Sequence, residues 1–395
     1  MIELTGKWKC NIPGQTADMM LPGTLDENGI GFEDDPGQQW KVDEVRRLGF
    51  YNDGDPIVTR LTRKHTFEGQ VRISRFFKTE PASGKRLFVD VERARQLRLL
   101  INGREARLCR PANITTPYCF EITGMLTGHD EFTFISDNSY PGWPRDAIVY
   151  SSAASDETQT NWNGLLGSIR MRSEEQCFID SVRVYPHGNT VDVFVGIDAA
   201  ERKRAALSIC SGALGDKHST DVELSPGYNE ICFEKLMPAE DIVRWDIGEG
   251  RLYKLTARLE PKSGEQGGSV RTVSFGIRDF TAADGHLCLN GRRIFLRSEA
   301  NCAVFPETGY IPMTVDEWKG IIGKYRGYGV NCLRFHSHCP PKAAFIAADE
   351  LGMLMQPELS HWDPVHAFST EEARSYYAPA GACRNVGQLR GPRLE

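Results

Sequence analysis

No apolar run in this 395-residue chain approaches the roughly 20 residues that a membrane-spanning helix needs. Basic residues are outnumbered, with 47 Lys and Arg against 53 Asp and Glu and a formal charge of -6. That balance argues against a nucleic-acid partner, which requires a basic face. The opening Met1-Ile-Glu-Leu-Thr-Gly-Lys-Trp8 has no leader pattern of basic, apolar and small-residue segments. The 11 cysteines are scattered and none stands in a CxxC pair, so a zinc ribbon is not expected. A reduced, cytoplasmic setting is the expectation. Internal repeats are absent too. The composition, 40% apolar and 25% charged, is that of an ordinary globular chain, and its length suggests two or three domains.

Residues 1–186 read as all-β. Short alternating runs such as Arg86–Val91, Leu97–Ile101, Glu131–Ile135 and Ser181–Tyr185 are separated by turns rich in Gly, Pro, Asn and Asp. Many short strands at this spacing indicate a sandwich of the jelly-roll kind. Residues 187–278 form a second all-β unit. Its candidate strands are Val191–Ile197, Ala205–Cys210, Asp221–Leu224, Asn229–Phe233, Leu252–Leu259 and Val270–Gly276. These six are close to the roughly seven strands of an immunoglobulin-like sandwich.

The pattern changes after Asn290-Gly291, a hairpin turn pair. A strand is expected at Arg293–Arg297, with Glu299 and Asn301 following it. Thr314 and Glu317 stand in capping-box spacing. Val315, Trp318, Ile321, Ile322 and Tyr325 then recur at helical spacing until Gly329. Val330–Phe335 reads as a second strand. Pro341 is suited to a helix start, Ala343–Leu351 is the helix, Gly352 closes it, and Met353–Gln356 is a third strand. Strand alternating with helix is the pattern of a parallel sheet. In such a sheet the carboxyl ends of the strands carry the chemistry, which draws attention to Arg334, His336, His338, Glu358, Ser360, His361 and Trp362.

Asn331-Cys-Leu-Arg-Phe-His-Ser-His-Cys-Pro-Pro341, followed by Ala348-Asp-Glu-Leu-Gly-Met-Leu-Met-Gln-Pro-Glu358, resembles the start of the catalytic barrel of glycoside hydrolase family 2. Leu21-Pro-Gly-Thr24, Leu100-Ile-Asn-Gly103 and Trp162-Asn-Gly-Leu-Leu-Gly167 resemble its amino-terminal sugar-binding domain, and Trp245 with Leu252-Tyr253 resembles a segment of its second domain. Asn331, Arg334, His338, Pro340 and Glu358 match the family motif. Ser298 departs from it, standing where a glycine is usual, and one extra residue separates Arg334 from His338. The resemblance implies retaining hydrolysis of β-glycosides by two glutamates, neither of which has a counterpart here. It implies a jelly-roll domain at 1–186, an immunoglobulin-like domain at 187–278, and a partial TIM-barrel segment at 279–377. The residues 378–395 form an irregular tail without periodicity. On this reading the chain is truncated before its catalytic glutamates and inactive alone. Its partner is a carbohydrate, it needs no cofactor, and Arg334, His336, His338, Glu358 and Trp362 line the sugar pocket.

Each of these residues has a plainer reading. Arg334 and His338 pair with neighbours at the strand ends, His336 is a packed histidine, and Trp162 and Trp362 are core tryptophans rather than sugar platforms. Two other functions stay open at the level of the residues. One is carbohydrate binding without catalysis. The other is a metal-dependent hydrolase using His336, His338 and Glu358, since imidazole and carboxylate are common ligands. Trp143 has no assigned role, and the sequon at Asn113 is expected to be fortuitous.

Overall fold

The structure is a computed structural model that describes residues 1–33, 64–80, 84–144, 147–148, 151–154, 161–215, 217–262, 267–360, 371 and 374–377. Trp362, His361 and the tail 378–395 lie outside the described residues.

Two six-stranded antiparallel sheets make up the first unit. One contains β1 (Arg86–Ala94), β2 (Arg107–Leu108), β3 (Tyr118–Glu121) and β4 (Gly164–Glu174). Its spatial order runs from Ile2–Glu3 through β4, β1 and β3 to β2 at the edge. The other is built on Gln70–Lys78, Gln96–Ile101 and His129–Asp137. Alternation decides the packing: Leu87, Val89 and Val91 of one sheet and Leu97, Leu99, Phe132 and Phe134 of the other fill a single core. Successive side chains of a strand point to opposite faces, so one face of each sheet is buried.

The second unit has a three-stranded and a four-stranded sheet around a core of Val191, Val193, Val195, Leu207, Leu255 and Leu259. Its first strand is β5 (Cys177–His187). The run Ser181–Tyr185, read from sequence as the last strand of the first unit, pairs instead with Thr190–Ala199. The reason is local. A tight turn at His187–Thr190 returns the chain directly onto itself, so the hairpin keeps both strands in one sheet.

A three-stranded antiparallel sheet, Phe280–Ala283, His286–Leu289 and Arg292–Ile294, leads into a parallel one. The first parallel strand is β6 (Ser298–Asn301), not Arg293–Arg297. Asn290 and Gly291 both take positive φ, 53° and 77°, as a two-residue hairpin turn requires. That turn folds Arg292–Ile294 back onto His286–Leu289, and the chain must be redirected before it can pair again. Asn331 secures the redirection: its Oδ1 accepts from the Arg297 N–H and its Nδ2 donates to the Phe295 carbonyl.

Helix α1 (Val315–Gly327) comes next with its capping box formed, Thr314 accepting from the Glu317 N–H and Glu317 reaching back. Then come β7 (Cys332–Phe335), α2 (Lys342–Leu351) and β8 (Leu354–Pro357). Strands β6, β7 and β8 are parallel neighbours. Leu333 and Met355 face the helices and pack on Trp318, Ile322, Ala344, Ala347 and Ala348. Cys332 and Leu354 face the other way, onto Trp245 and Leu289.

Candidate functional site

Arg334 stands between Ala300 of β6 and Gln356 of β8, on the sheet face away from the helices. Its Nε donates to Glu358 Oε1 at 2.6 Å, and its Nη2 lies 3.2 Å from His336 Nδ1. Glu358 Oε2 accepts from the Ser337 N–H at 2.9 Å and is 3.4 Å from His336 Nδ1. Three side chains that leave β7 and β8 at their carboxyl ends thus form one hydrogen-bonded group. They remain open to solvent, with side-chain exposures of 41% for Arg334, 33% for His336 and 23% for Glu358, so a ligand can reach them.

The electrostatics follow from that arrangement. Burial pushes the Glu358 carboxyl up, but the Ser337 N–H, the Arg334 hydrogen bond and the positive field of Arg334 outweigh it. The net result is a carboxylate held below its ordinary range. Hydrogen bonds and a nearby cation favour the charged form. Glu358 is therefore an ionised acceptor that fixes the Arg334 fork.

His338 does not join the group, contrary to the expectation from sequence. It is 2% exposed, its Nδ1 is 3.1 Å from the His336 carbonyl, and its ring meets Phe335 edge-on at 5.4 Å. Its Nε2 has no hydrogen-bond partner among the described residues. The ring instead lines a cleft against the first unit, with Arg93, Arg95, Ile114, Ala153 and Trp162. Trp162 is a core residue there. It is 5% exposed and stacked beneath the Arg95 guanidinium at 4.0 Å.

The turn that separates His336 from His338 is held from outside. Ser337 takes φ 48°, uncommon for a residue with a Cβ. The Ser152 N–H donates to its Oγ at 3.0 Å and the Ser151 hydroxyl donates to its carbonyl at 3.4 Å. Arg93 Nη2 donates to the Cys339 carbonyl at 3.4 Å. Ser151, Ser152 and Arg93 were not singled out from sequence. They lie 185 or more residues from their partners, and no local pattern marks such a contact.

No group of three His, Cys, Asp or Glu side chains among the described residues is placed to hold a metal ion, which removes support from a metal site at His336, His338 and Glu358. Asn113 is 1% exposed and its Nδ2, the atom a glycan would occupy, donates to the Tyr376 carbonyl at 3.1 Å. Trp143 stacks on Tyr140 at 5.8 Å and meets Tyr376 edge-on at 5.2 Å.

Comparison with solved structures places the chain. A family 2 β-galacturonidase from Eisenbergiella tayi, bound to galacturonate, superposes on 91% of it with a TM-score of 0.68 at 15% identity. The fold is that of family 2 glycoside hydrolases. A family 2 member from Bacteroides cellulosilyticus covers 98% of the chain with a TM-score of 0.67 at 16% identity, and a Bacteroides uniformis β-glucuronidase 95% with 0.66 at 17%. In sequence, a curated β-galactosidase from Pseudoalteromonas haloplanktis is 22% identical over 228 residues, 53% of this chain. No family model matches the chain. It spans 58%, 51% and 44% of the three solved chains and 22% of the curated relative. Of the residues that match the family 2 motif, Asn331 shapes the backbone, Arg334 and Glu358 form the open cluster, and His338 is buried behind it.

Proposed function

We propose that this chain is the carbohydrate-binding portion of a retaining β-glycosidase of the family 2 kind, with a β-glycoside as its ligand. The observation that carries the reading is the solvent-open Arg334–Glu358–His336 cluster at the ends of adjacent parallel strands, the usual place for a ligand in such sheets. On this proposal the first unit is a jelly-roll sandwich, the second an immunoglobulin-like one, and β6 to β8 with α1 and α2 are βα units of a TIM barrel. The boundary between the sandwiches falls near residue 175, because β5 pairs within the second, rather than near 186. Arg334 and His336 supply donors to sugar hydroxyls or to a sugar carboxylate.

These 395 residues are further proposed to bind without turning over. A retaining glycosidase needs a protonated general acid and a nucleophile about 5 Å apart, and the acid's pKa must be raised. Glu358 is shifted the opposite way and gives its oxygens to Arg334 and Ser337. Calorimetry with β-galactosides, β-glucuronides and β-galacturonides, alongside nitrophenol release from the matching substrates, tests both statements. Binding of one class, weakened about tenfold by Arg334→Ala, as for a lost charge-assisted hydrogen bond, with no nitrophenol released, is the expected result. Turnover abolished by Glu358→Gln would overturn it and make Glu358 catalytic.

A further inference from the structure

Two thiols face each other at the end of the narrow β2–β3 ribbon. The register pairs Arg107 with Glu121 and Leu108 with Phe120. One step further, Cys109 stands opposite Cys119, and its N–H donates to the Cys119 carbonyl at 2.8 Å. Residues opposed at such a hydrogen-bonded position have Cα atoms about 5.5 Å apart, within the ~4.4–6.8 Å that a disulfide spans. Both side chains belong to one cluster with Phe88 and Phe178.

The environment makes the two sulfurs unequal. Cys119 is buried and Cys109 partly exposed. The neighbouring Cys119 thiol, with help from the Arg107 and Arg172 charges, holds the Cys109 thiol below its ordinary value despite burial. The neighbouring Cys109 thiol, burial and the Asp90 charge push Cys119 far up. Arg172 Nη2 lies 3.6 Å from Cys119 Sγ, placed to stabilise a negative charge there once one forms. An accessible, cation-flanked thiol with a second thiol in contact is the arrangement of an attacking and a resolving cysteine. Exposed Cys210 provides a comparison on the same molecule.

We propose that Cys109 and Cys119 form a reversible redox pair, oxidised by a soluble disulfide of the glutathione type. The Cys109 thiolate attacks one sulfur of that disulfide, forms a mixed disulfide and expels the other half as a thiolate, which takes up a proton. Cys119 then gives up its proton and attacks Cys109 Sγ, releasing the second small thiol. Two protein thiols are oxidised and one small disulfide is reduced to two thiols. The new bond closes the loop that carries Asn113 and Ile114. Asn113 holds the Tyr376 carbonyl, and Ile114 lines the cleft with His338. Oxidation therefore pins the loop on which the parallel-sheet unit rests.

The test is exposure of the purified chain to oxidised glutathione, followed by alkylation of remaining thiols and peptide mapping. The expected product is a peptide joined through Cys109 and Cys119, formed about threefold or more faster than the adduct on Cys210, since a lowered thiol pKa raises the thiolate fraction more than it lowers nucleophilicity, and reversed by dithiothreitol. In Cys119→Ser the reaction stops at a glutathione adduct on Cys109, and in Cys109→Ser residue 119 stays unmodified. The proposal is overturned if Cys109 reacts no faster than Cys210, or if the adduct on Cys109 of the unaltered chain persists unresolved.

Discussion

The surroundings of His338 oppose its charge. Burial against Phe335 lowers its pKa from 6.5 to about 4, outweighing the opposite pull of the His336 carbonyl, and the Arg93 charge adds to the fall. The unfolded chain then binds a proton that the folded chain refuses between those two values. Stability is therefore full above pH ~6.5 and falls as the pH is lowered towards 4, by roughly 3 kcal/mol in all from the linkage relation. Urea midpoints measured from pH ~7.5 to ~4.5, a range that spans the ordinary histidine value, should fall steadily in the unaltered chain, and His338→Phe should flatten that fall. An unchanged slope in His338→Phe would show the ring to be solvated in solution. Glu358 contributes with the same sign but lower down, because its carboxylate is held below its ordinary range and loses its partners only once protonated. With Arg334 41% exposed, that pair is expected to be worth no more than about 1 kcal/mol. Glu358→Gln should accordingly fold normally and change ligand binding more than stability.

Helix α2 ends where the chain comes closest to the second unit. Gly352 takes φ 70° and ψ 47° as its C-cap, a left-handed conformation that glycine adopts without a Cβ penalty. Here the missing Cβ also makes room. One built on Gly352 would stand 2.5 Å from the Asp246 carbonyl and from the Glu249 and Gly248 amides, and the Gly248 N–H donates to the Gly352 carbonyl at 2.9 Å. Gly352→Ala should therefore cost more than the ~1 kcal/mol of the φ penalty alone, roughly 2 kcal/mol or above once the backbone clash is added. Chemical denaturation measures it directly, and a loss below about 1 kcal/mol, no more than the φ penalty, would mean that the 246–250 loop yields easily. Both ends of α2 and the capping box of α1 were legible in the sequence, because caps are set by residues within about four positions of one another. The first parallel strand was not. Arg293–Arg297 has the composition of a strand, yet the hairpin at Asn290-Gly291 claims Arg292–Ile294, and Asn331, 34 residues from Arg297, turns the chain into β6.

Across the whole molecule, Trp245 joins the second unit to the parallel sheet. It is 1% exposed and packs with Leu289, Cys332 and Leu354. Its indole N–H donates to the Asp349 carbonyl at 2.8 Å, and the Arg278 guanidinium lies 5.2 Å from its ring centre. Trp245→Ala leaves a large cavity beneath β7 and β8 and should cost about 3–5 kcal/mol. The damage is expected to concentrate in the parallel-sheet unit. Limited proteolysis of Trp245→Ala should cut first beyond residue 280 and spare the first unit, whose core of Val89, Leu99, Phe132 and Phe134 shares no residue with this cluster. Simultaneous loss of all three units at one protease dose would show that they unfold as a single cooperative body.

Short-range chemistry controls the part of this architecture that is legible in the chain alone. Period-two alternation marked strands such as Arg86–Ala94, Gln96–Ile101 and His129–Asp137, helical spacing and caps specified α1 and α2, and the order of strand and helix specified a parallel sheet with Arg334 and Glu358 at its carboxyl ends. The remainder depends on contacts distant along the chain. Ser181–Tyr185 joined the second unit because its hairpin partner comes directly after it. His336 stayed on the open face while His338, two residues later, turned inward, because Ser151 and Ser152 hold Ser337 in a left-handed turn from 185 or more residues away. In an extended strand those two histidines would share a face, and one positive φ between them separates them. The cost of that turn is met by hydrogen bonds from another unit, and nothing between His336 and His338 encodes them.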